Sequence, residues 1–535
     1  MLATARVSAS VLLVCLTLPA CGDAGGGESS STLTTSGEPA TTSGATGSEP
    51  PTGGEATSPG ETGETDTSAT SDSTTGSATT GEPTTGAGPD DTGSSAGDSS
   101  SGESAGESWL RSFGAPDSQR AGGLGFTAGG ELWVAGDVYG ALDAGLGPLA
   151  GDGSGIYLAR YAGDGTPLHA EAMFASDGQP TLTTVTGLAV DATGAVIVTG
   201  WLEGSHQIGG QALVADEVDV FVGKWDAGGA PAWGRKFGEV DWQVGYAVAV
   251  GPGDEIWIAG AALAPFTAGD LVLTGTAGTG MYLLRLAADG TPEVGRWWGE
   301  TGDQEARGVA VCADGSLALA GFITDPLTFG GEQVAASAGK DMFVARVDAD
   351  GEPLWIRGLG GAGSDIASHV QCGDDLLFAG TVDGEASIGA LALTPAGDAE
   401  AVIGRFSAAG ALVWAAAATG PGDQVPAGLG LAAGGDVVVA LTSTGAIDLG
   451  ERALPGAGDR DVVLARYVAA DASPTAAVAL GDAARQVAGA LALHPSGGGA
   501  VAMSHAGALT WDGLPAVAAA GPEDLALLRW AAGEL

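Results

Sequence analysis

The chain contains no asparagine and little positive charge: 19 lysines and arginines stand against 65 aspartates and glutamates, for a net charge of −46. Together with the excess of arginine over lysine, the missing asparagine reads as the signature of a GC-rich genome, not of a function. The shortage of bases argues against nucleic acid and against anionic lipid surfaces, whose phosphates are held by Lys and Arg. Also missing are HExxH and the phosphate-binding loop. The five histidines, His169, His206, His369, His494 and His505, stand at unrelated positions. No catalytic or metal constellation follows from them, and no cofactor is expected.

What is present begins with a leader, residues 1–20. Arg6 is its only charge, Val11 to Leu18 is largely apolar, and the run is too short to span a bilayer. It ends in "LPAC", with Ala20 before Cys21, and this resembles the lipobox of bacterial lipoproteins. The resemblance implies cleavage before Cys21 and lipidation of that residue. Gly22 stands where such lipoproteins carry Asp for inner-membrane retention, which implies an outer-membrane or surface address. Residues 21–107 then form a lipidated cysteine and tether. From residue 22 they are almost wholly Ser, Thr, Gly, Glu, Asp, Pro and Ala, with 15 acids and no base. Such a segment cannot bury enough surface to offset chain entropy, and disorder is expected.

Residues 108–535 are different. They hold 18 of the 19 bases and 50 of the 65 acids, a charge of −32. Two residue series recur in register. A base sits inside an apolar run at Arg160, Lys224, Arg285, Arg346, Arg405, Arg466 and Arg529, with gaps of 64, 61, 61, 59, 61 and 63 residues. A glycine closes another run at Gly136, Gly200, Gly260, Gly321 and Gly380, and copies six and seven depart with Leu441 and Ser504. Each copy reads as four short strands, a to d, bounded by Gly, Asp or Pro. Asp289-Gly290 and Asp350-Gly351 mark c–d hairpins. Between b and c lies an excursion such as "FITDPLTFGGEQVAASAGK", whose "FGG" suggests a small extra hairpin. No capped apolar pattern of helical period occurs in the copies. Seven four-stranded units make an all-β, seven-bladed β-propeller. The body opens with a lone strand d, "WLRSF", and closes with a lone strand c, so Trp109 to Phe113 is expected to pair with Asp524 to Trp530 and close the ring.

The unit "ARGVAVCADGSLALAGF…FGG…AGKDMFVARVDADGEPLW" resembles the SBBP-type β-propeller repeat of bacterial secreted lipoproteins. That family shares a fold and no common activity, so the resemblance implies an address and an architecture. Asp117, Asp241, Asp303, Asp365, Asp423 and Asp482 precede strand a in six copies; Asp177, in the second copy, has a longer loop after it. They read either as a cation- or ligand-binding rim or, the preferred reading, as acceptors for their own turns. The basic series is expected to pair between blades with acids at the starts of strand c, Asp219, Asp341, Asp461 and Asp524. A second basic series, Arg111, Arg235, Arg296 and Arg357, lies on strand d, and Trp109, Trp233, Trp355 and Trp414 read as packing between blades. Asp348 to Gly351 and Gly151 to Gly155 are read as turns, not calcium loops. Cys312 and Cys372 occupy matching positions of copies four and five. In an exported setting they are candidates for a disulfide, two separate buried thiols being the alternative.

The expected protein is thus a monomeric, envelope-anchored binding or scaffolding module, with a protein or glycan as partner. A propeller-fold hydrolase, lyase or quinone-type dehydrogenase and a structural envelope or matrix protein are the alternatives.

Overall fold

The computed structural model describes residues 107–114, 119–174, 183–275, 278–397, 399–432, 434–521 and 523–535. The leader, Cys21, nearly all of the tether, Asp117 and Asp177 lie outside them.

The described chain is all β, arranged as seven four-stranded antiparallel blades. In blade 4 strand a is Gln304–Val311, b Leu317–Ile323, c Ala338–Val347 and d Pro353–Ser364. The strands a of blades 1 to 7 are Gln119–Phe126, Thr183–Val190, Gln243–Val250, Gln304–Val311, Ile366–Cys372, Gln424–Leu431 and Gln486–Leu493. Each touches strand a of the next blade, so these strands line the axis. Strand b is covered on both faces; all seven residues of Leu317–Ile323 are buried. The cores lie between blades, one at each joint, as in the cluster of Met342, Val344, Phe378 and Phe406 between blades 4 and 5. Each blade therefore hides its apolar faces only when both neighbours are in place.

The ring closes as the lone strands require. Trp109–Phe113 runs antiparallel to Asp524–Trp530, with Trp109 opposite Arg529 and Phe113 opposite Leu525. The first strand of the body thus completes blade 7, and no edge is left open between the chain ends. Blades 3 to 7 carry the extra b–c hairpin, Leu327–Phe329 with Glu332–Val334 in blade 4. In blades 1 and 2 the excursion instead prolongs strands b and c. Gly151 to Gly155 lies in that prolonged strand, Pro148–Tyr161, and is not a turn: Ser154 is paired with Tyr139 across the hairpin.

The glycine series has a steric cause. Every strand a bulges by one residue beside it, at Gly122, Thr186, Tyr246, Arg307, Ser368, Ala427 and Gly489. The bulge drives a carbonyl towards strand b. A Cβ on Gly321 would lie 1.8 Å from the Glu305 carbonyl oxygen, and one on Gly200 1.9 Å from that of Thr184. The register corrects one alignment: the counterpart of Gly321 in blade 7 is Met503, not Ser504. Spacing alone misses this by one residue, because turn lengths differ between copies.

Candidate functional site

The bulged positions are where the blades differ most. Five are Gly, Ala, Ser or Thr, and their surroundings are backbone: a Cβ on Gly122 would stand 2.0 Å from the Val185 carbonyl, and Thr186 Oγ1 donates to the Gly245 carbonyl at 2.6 Å. Blades 3 and 4 instead place Tyr246 and Arg307 there. Arg307 holds Glu305 through Nε at 2.9 Å and Nη2 at 2.8 Å, and lies 5.0 Å from the Tyr246 ring and 5.4 Å from that of Phe322. Lys340, at the foot of strand c, stands 4.2 Å over the same Phe322 ring. Burial, and then the charge of Glu305, push the Tyr246 hydroxyl far above its usual range. Burial and the nearby Arg307 lower the Lys340 ammonium, against the raising pull of Glu305 and Asp303. The side chains of Arg307 and Glu305 are 13% and 9% exposed, a shielded but reachable group. It sits in the first half of strand a, towards the face that carries the d–a turns and b–c excursions.

The aspartates before strand a do not converge. Asp365 is buried; its Oδ2 accepts from Gly361 N at 2.7 Å and its Oδ1 from Asp383 N at 3.1 Å, tying the d–a turn to the b–c excursion. Burial raises its carboxyl to about 6. Asp482 accepts from Ala484 N and Ala508 N, both at 2.8 Å, and those bonds lower its carboxyl. Asp303 and Asp423 meet Thr324 and Thr444 through backbone, and Asp241 sits at φ 59°. No group of three or more His, Cys, Asp or Glu among the described residues is placed to hold a metal.

The partners expected for the basic series are wrong. Arg346 pairs with Asp314 at 2.8 Å, Arg405 with Asp375 at 2.7 Å, Arg466 with Asp436 at 3.0 Å and Lys224 with Asp191 at 2.8 Å, all acids of the a–b turn in the same blade. Asp219, Asp341, Asp461 and Asp524 stand five residues earlier on strand c, roughly 17 Å away along an extended strand and on its other face. The reach between blades is real and goes mostly to backbone: Arg346 Nη1 donates to the Ala408 carbonyl at 3.1 Å and Arg405 Nη1 to that of Ala469 at 2.7 Å, each in the next blade, while Arg285 and Arg296 of blade 3 also pair with Asp350 at 3.7 Å and Glu352 at 2.8 Å in blade 4. The strand-d bases do likewise. Arg235, Arg296 and Arg357 donate to the carbonyls of Asp289, Asp350 and Gly410, and Arg111 lies 6.0 Å from the Trp109 ring. Trp233, Trp355 and Trp414 donate to Ala288, Ala408 and Ala469. These residues fasten blades together. A disulfide joins Cys312 and Cys372, Cα atoms 4.7 Å apart, across the blade 4–5 joint.

Within their own blades His206 meets Thr183 at 3.0 Å, His369 meets Ser368 at 2.8 Å and His505 meets Ser112 at 2.8 Å, while the His494 ring of blade 7 lies 5.3 Å from that of Phe126 in blade 1. The sequence reading missed Tyr246, Glu305, Arg307 and Lys340. The available signal was the position immediately ahead of the "GVAV"-type run, where the copies change most.

No protein family matches the sequence, and no curated protein matches it. Among solved structures the chain is similar to a quinohemoprotein alcohol dehydrogenase from Pseudomonas putida, at 10% identity over 79% of this chain and 76% of that one, with a TM-score of 0.38. It is similar to the Pan2 WD40 domain of Neurospora crassa, at 10% identity over 77% and 89%, with a TM-score of 0.40. BamB from Moraxella catarrhalis matches at 12% identity over 72% and 94%, with a TM-score of 0.32. Similarity at this level carries no argument about activity.

Proposed function

We propose that this protein is an exported, lipid-anchored propeller that acts as a binding module, taking its ligand at the axial mouth beside Tyr246, Glu305, Arg307 and Lys340. The observation that carries the reading is the bulge ring. In a body whose bases mostly fasten blades, this is the place where large polar side chains break the repeat and gather beside the axis. Binding is favoured over catalysis because Arg307 grips Glu305 through two nitrogens, which keeps that carboxylate from serving as a free proton acceptor. The address follows from "LPAC" and the acidic tether: Cys21 carries the lipid, and the body stands off an outer membrane as an SBBP-type lipoprotein does.

Two measurements test this. Cys21→Ser should release the protein from membranes or leave it as uncleaved precursor, and a mature N-terminus without a modified Cys21 would remove the anchor. Mature protein and a Tyr246→Phe, Lys340→Ala variant should be compared for capture of glycans on an array and of envelope proteins. Loss of a captured partner in the variant, at unchanged melting temperature, supports the site. Equal capture by both proteins moves binding elsewhere on the ring.

A further inference from the structure

At or near the start of strand c, blades 2, 4, 5, 6 and 7 carry a buried carboxylate: Asp219, Asp341, Glu400, Asp461 and Asp524. Four are well answered. Asp341 accepts from Ser337 N and Oγ, both at 2.6 Å; Glu400 from Ala396 N at 2.9 Å and Gly420 N at 3.1 Å; Asp524 from Ala520 N at 2.5 Å and Gly521 N at 3.2 Å. Asp219 meets the Lys236 ammonium at 2.6 Å, which also donates to the Gly238 carbonyl at 2.9 Å. Asp461, 1% exposed, has one donor, Ala457 N on Oδ2 at 2.7 Å; Oδ1 is buried without a partner, and no base among the described residues lies within 4 Å.

A second orphan faces it. Gln486 is 0% exposed, and its Oε1 is likewise buried without a donor. Oε1 of Gln486 and Oδ1 of Asp461 lie 2.4 and 2.5 Å from the point where a Cβ on Gly481 would stand, so they share one small space. The amide cannot be turned to relieve this, because its Nε2 donates to Asp482 Oδ1 at 3.0 Å and reversal would set oxygen against a carboxylate. A buried charge and a buried carbonyl facing each other with no donor are strongly unfavourable.

The sister joint shows what is missing. Lys236 pairs with Phe221, two residues past Asp219; the residue paired two past Asp461, with Val463, is Ala479. Gly238 and Gly481 follow at the same offset. Where blade 2 supplies an ammonium, on Asp219 Oδ2, blade 6 has a methyl group; Gln243 Oε1 beside Asp219 is itself without a donor, so the ammonium there answers the carboxylate and not the amide. We propose that the joint between blades 6 and 7 binds one monovalent cation, sodium or potassium, with Asp461 Oδ1 and Gln486 Oε1 as ligands. A single positive charge balances the single carboxylate, as Lys236 does for Asp219. Calcium takes six to eight oxygens, commonly several of them carboxylates, and the other nearby acid, Asp482, is already engaged by Ala484, Ala508 and Gln486.

The full-length protein is to be dialysed into tetramethylammonium chloride, whose ion is too large for the space, and titrated with sodium or potassium chloride at constant ionic strength. The melting temperature should rise by about 1–3 °C and saturate. Ala479→Lys should melt, without either ion, at least as high as the wild type does with it, and should no longer respond. Crystals soaked in thallium(I) should show one anomalous peak between Asp461 and Gln486, a readout that stands if Ala479→Lys fails to fold. An unchanged melting temperature, a variant that still responds, a larger response to calcium, or water alone between the two oxygens overturns the assignment.

Discussion

The joint between blades 4 and 5 and the joint between blades 6 and 7 solve the same problem with different chemistry. At the first, a disulfide links Cys312 to Cys372, and strand d of blade 4 runs on to pair with the hairpin of blade 5, Gly360 opposite Ser387 and Gly361 opposite Ala386. Arg346, Trp355 and Arg357 all donate to the c–d turn of blade 5. At the second, strand d of blade 6 is "PTAAVAL", with Ala476 in the place of Trp355. Apolar packing, centred on Val462, Leu464, Val501 and Leu528, takes over, together with Ala488 N donating to Thr442 Oγ1 at 3.0 Å. A repeat keeps its geometry when one joint is pinned by directional bonds and another mainly by area, because the ring holds every blade between two neighbours.

The largest effect separating the two joints should come from the disulfide. It closes a loop of 60 residues, and the chain-entropy account gives on the order of 4 kcal/mol of stabilisation for that length. Replacing both Cys312 and Cys372 with Ser should lower the melting temperature and make the blade 4–5 turns the first sites of limited proteolysis. An unchanged melting temperature would mean that the hydrogen bonds alone secure this joint.

Next in size is a pH effect one joint further on, where His369 of blade 5 meets the Ala427 backbone of blade 6. His369, on strand a of blade 5, is pulled down to about 4 by burial. Between its unfolded value near 6.5 and about 4, the unfolded chain takes up a proton that the folded one refuses. Stability is therefore intact at neutral pH and lost as pH falls through that window, by about 3 kcal/mol in full. Asp365 acts in the opposite sense. Its carboxyl, raised to about 6 by burial, keeps a proton that the unfolded chain has released, so its contribution fades as pH rises from about 4 to 6. His369→Gln should flatten the acid side of the stability profile and leave the Asp365 component; an acid limb unchanged in the variant would show that His369 is not its source.

Much of this architecture was legible because it is periodic. The seven bases, the glycines beside strand b and the unmatched ends at Trp109 and Trp530 each follow from a constraint that acts in every blade. The partners of the bases were not legible. Asp341 and Asp314 are both plausible mates for Arg346 by composition, and strand direction together with face alternation decides for Asp314. The candidate site was hidden for a related reason. Tyr246 and Arg307 occupy a bulge that inserts one residue into a strand, and a bulge leaves no mark in a spacing set by whole repeats. Lys340 joins them only through the excursion that brings the start of strand c back beside Phe322 of strand b. The disulfide candidates were visible as matching positions in adjacent copies, whereas the socket at Asp461 needed the cross-strand register that aligns Ala479 with Lys236.

The smallest expected effect compares the same arginine position at the two joints. Arg346 has a side chain 5% exposed, with Nε on Ser316 Oγ at 2.8 Å, Nη2 on Asp314 and Nη1 on the Ala408 carbonyl. Arg466 is 25% exposed, with Asp436 at 27%, and has no hydroxyl contact like that of Ser316. Truncating the buried guanidinium takes donors from Ser316 and the Ala408 carbonyl and opens space between blades, while Asp314, 63% exposed, rehydrates, so Arg346→Ala should cost about 2 kcal/mol. Truncating the more solvated one leaves Asp436 able to rehydrate, so Arg466→Ala should cost about 1 kcal/mol or less and lose part of that in salt. Chemical denaturation of both variants at low and high ionic strength reads the difference. Equal losses would mean that the arginine series works through its reach to the next blade's carbonyl alone, and that burial of the guanidinium adds nothing to the contrast between the joints.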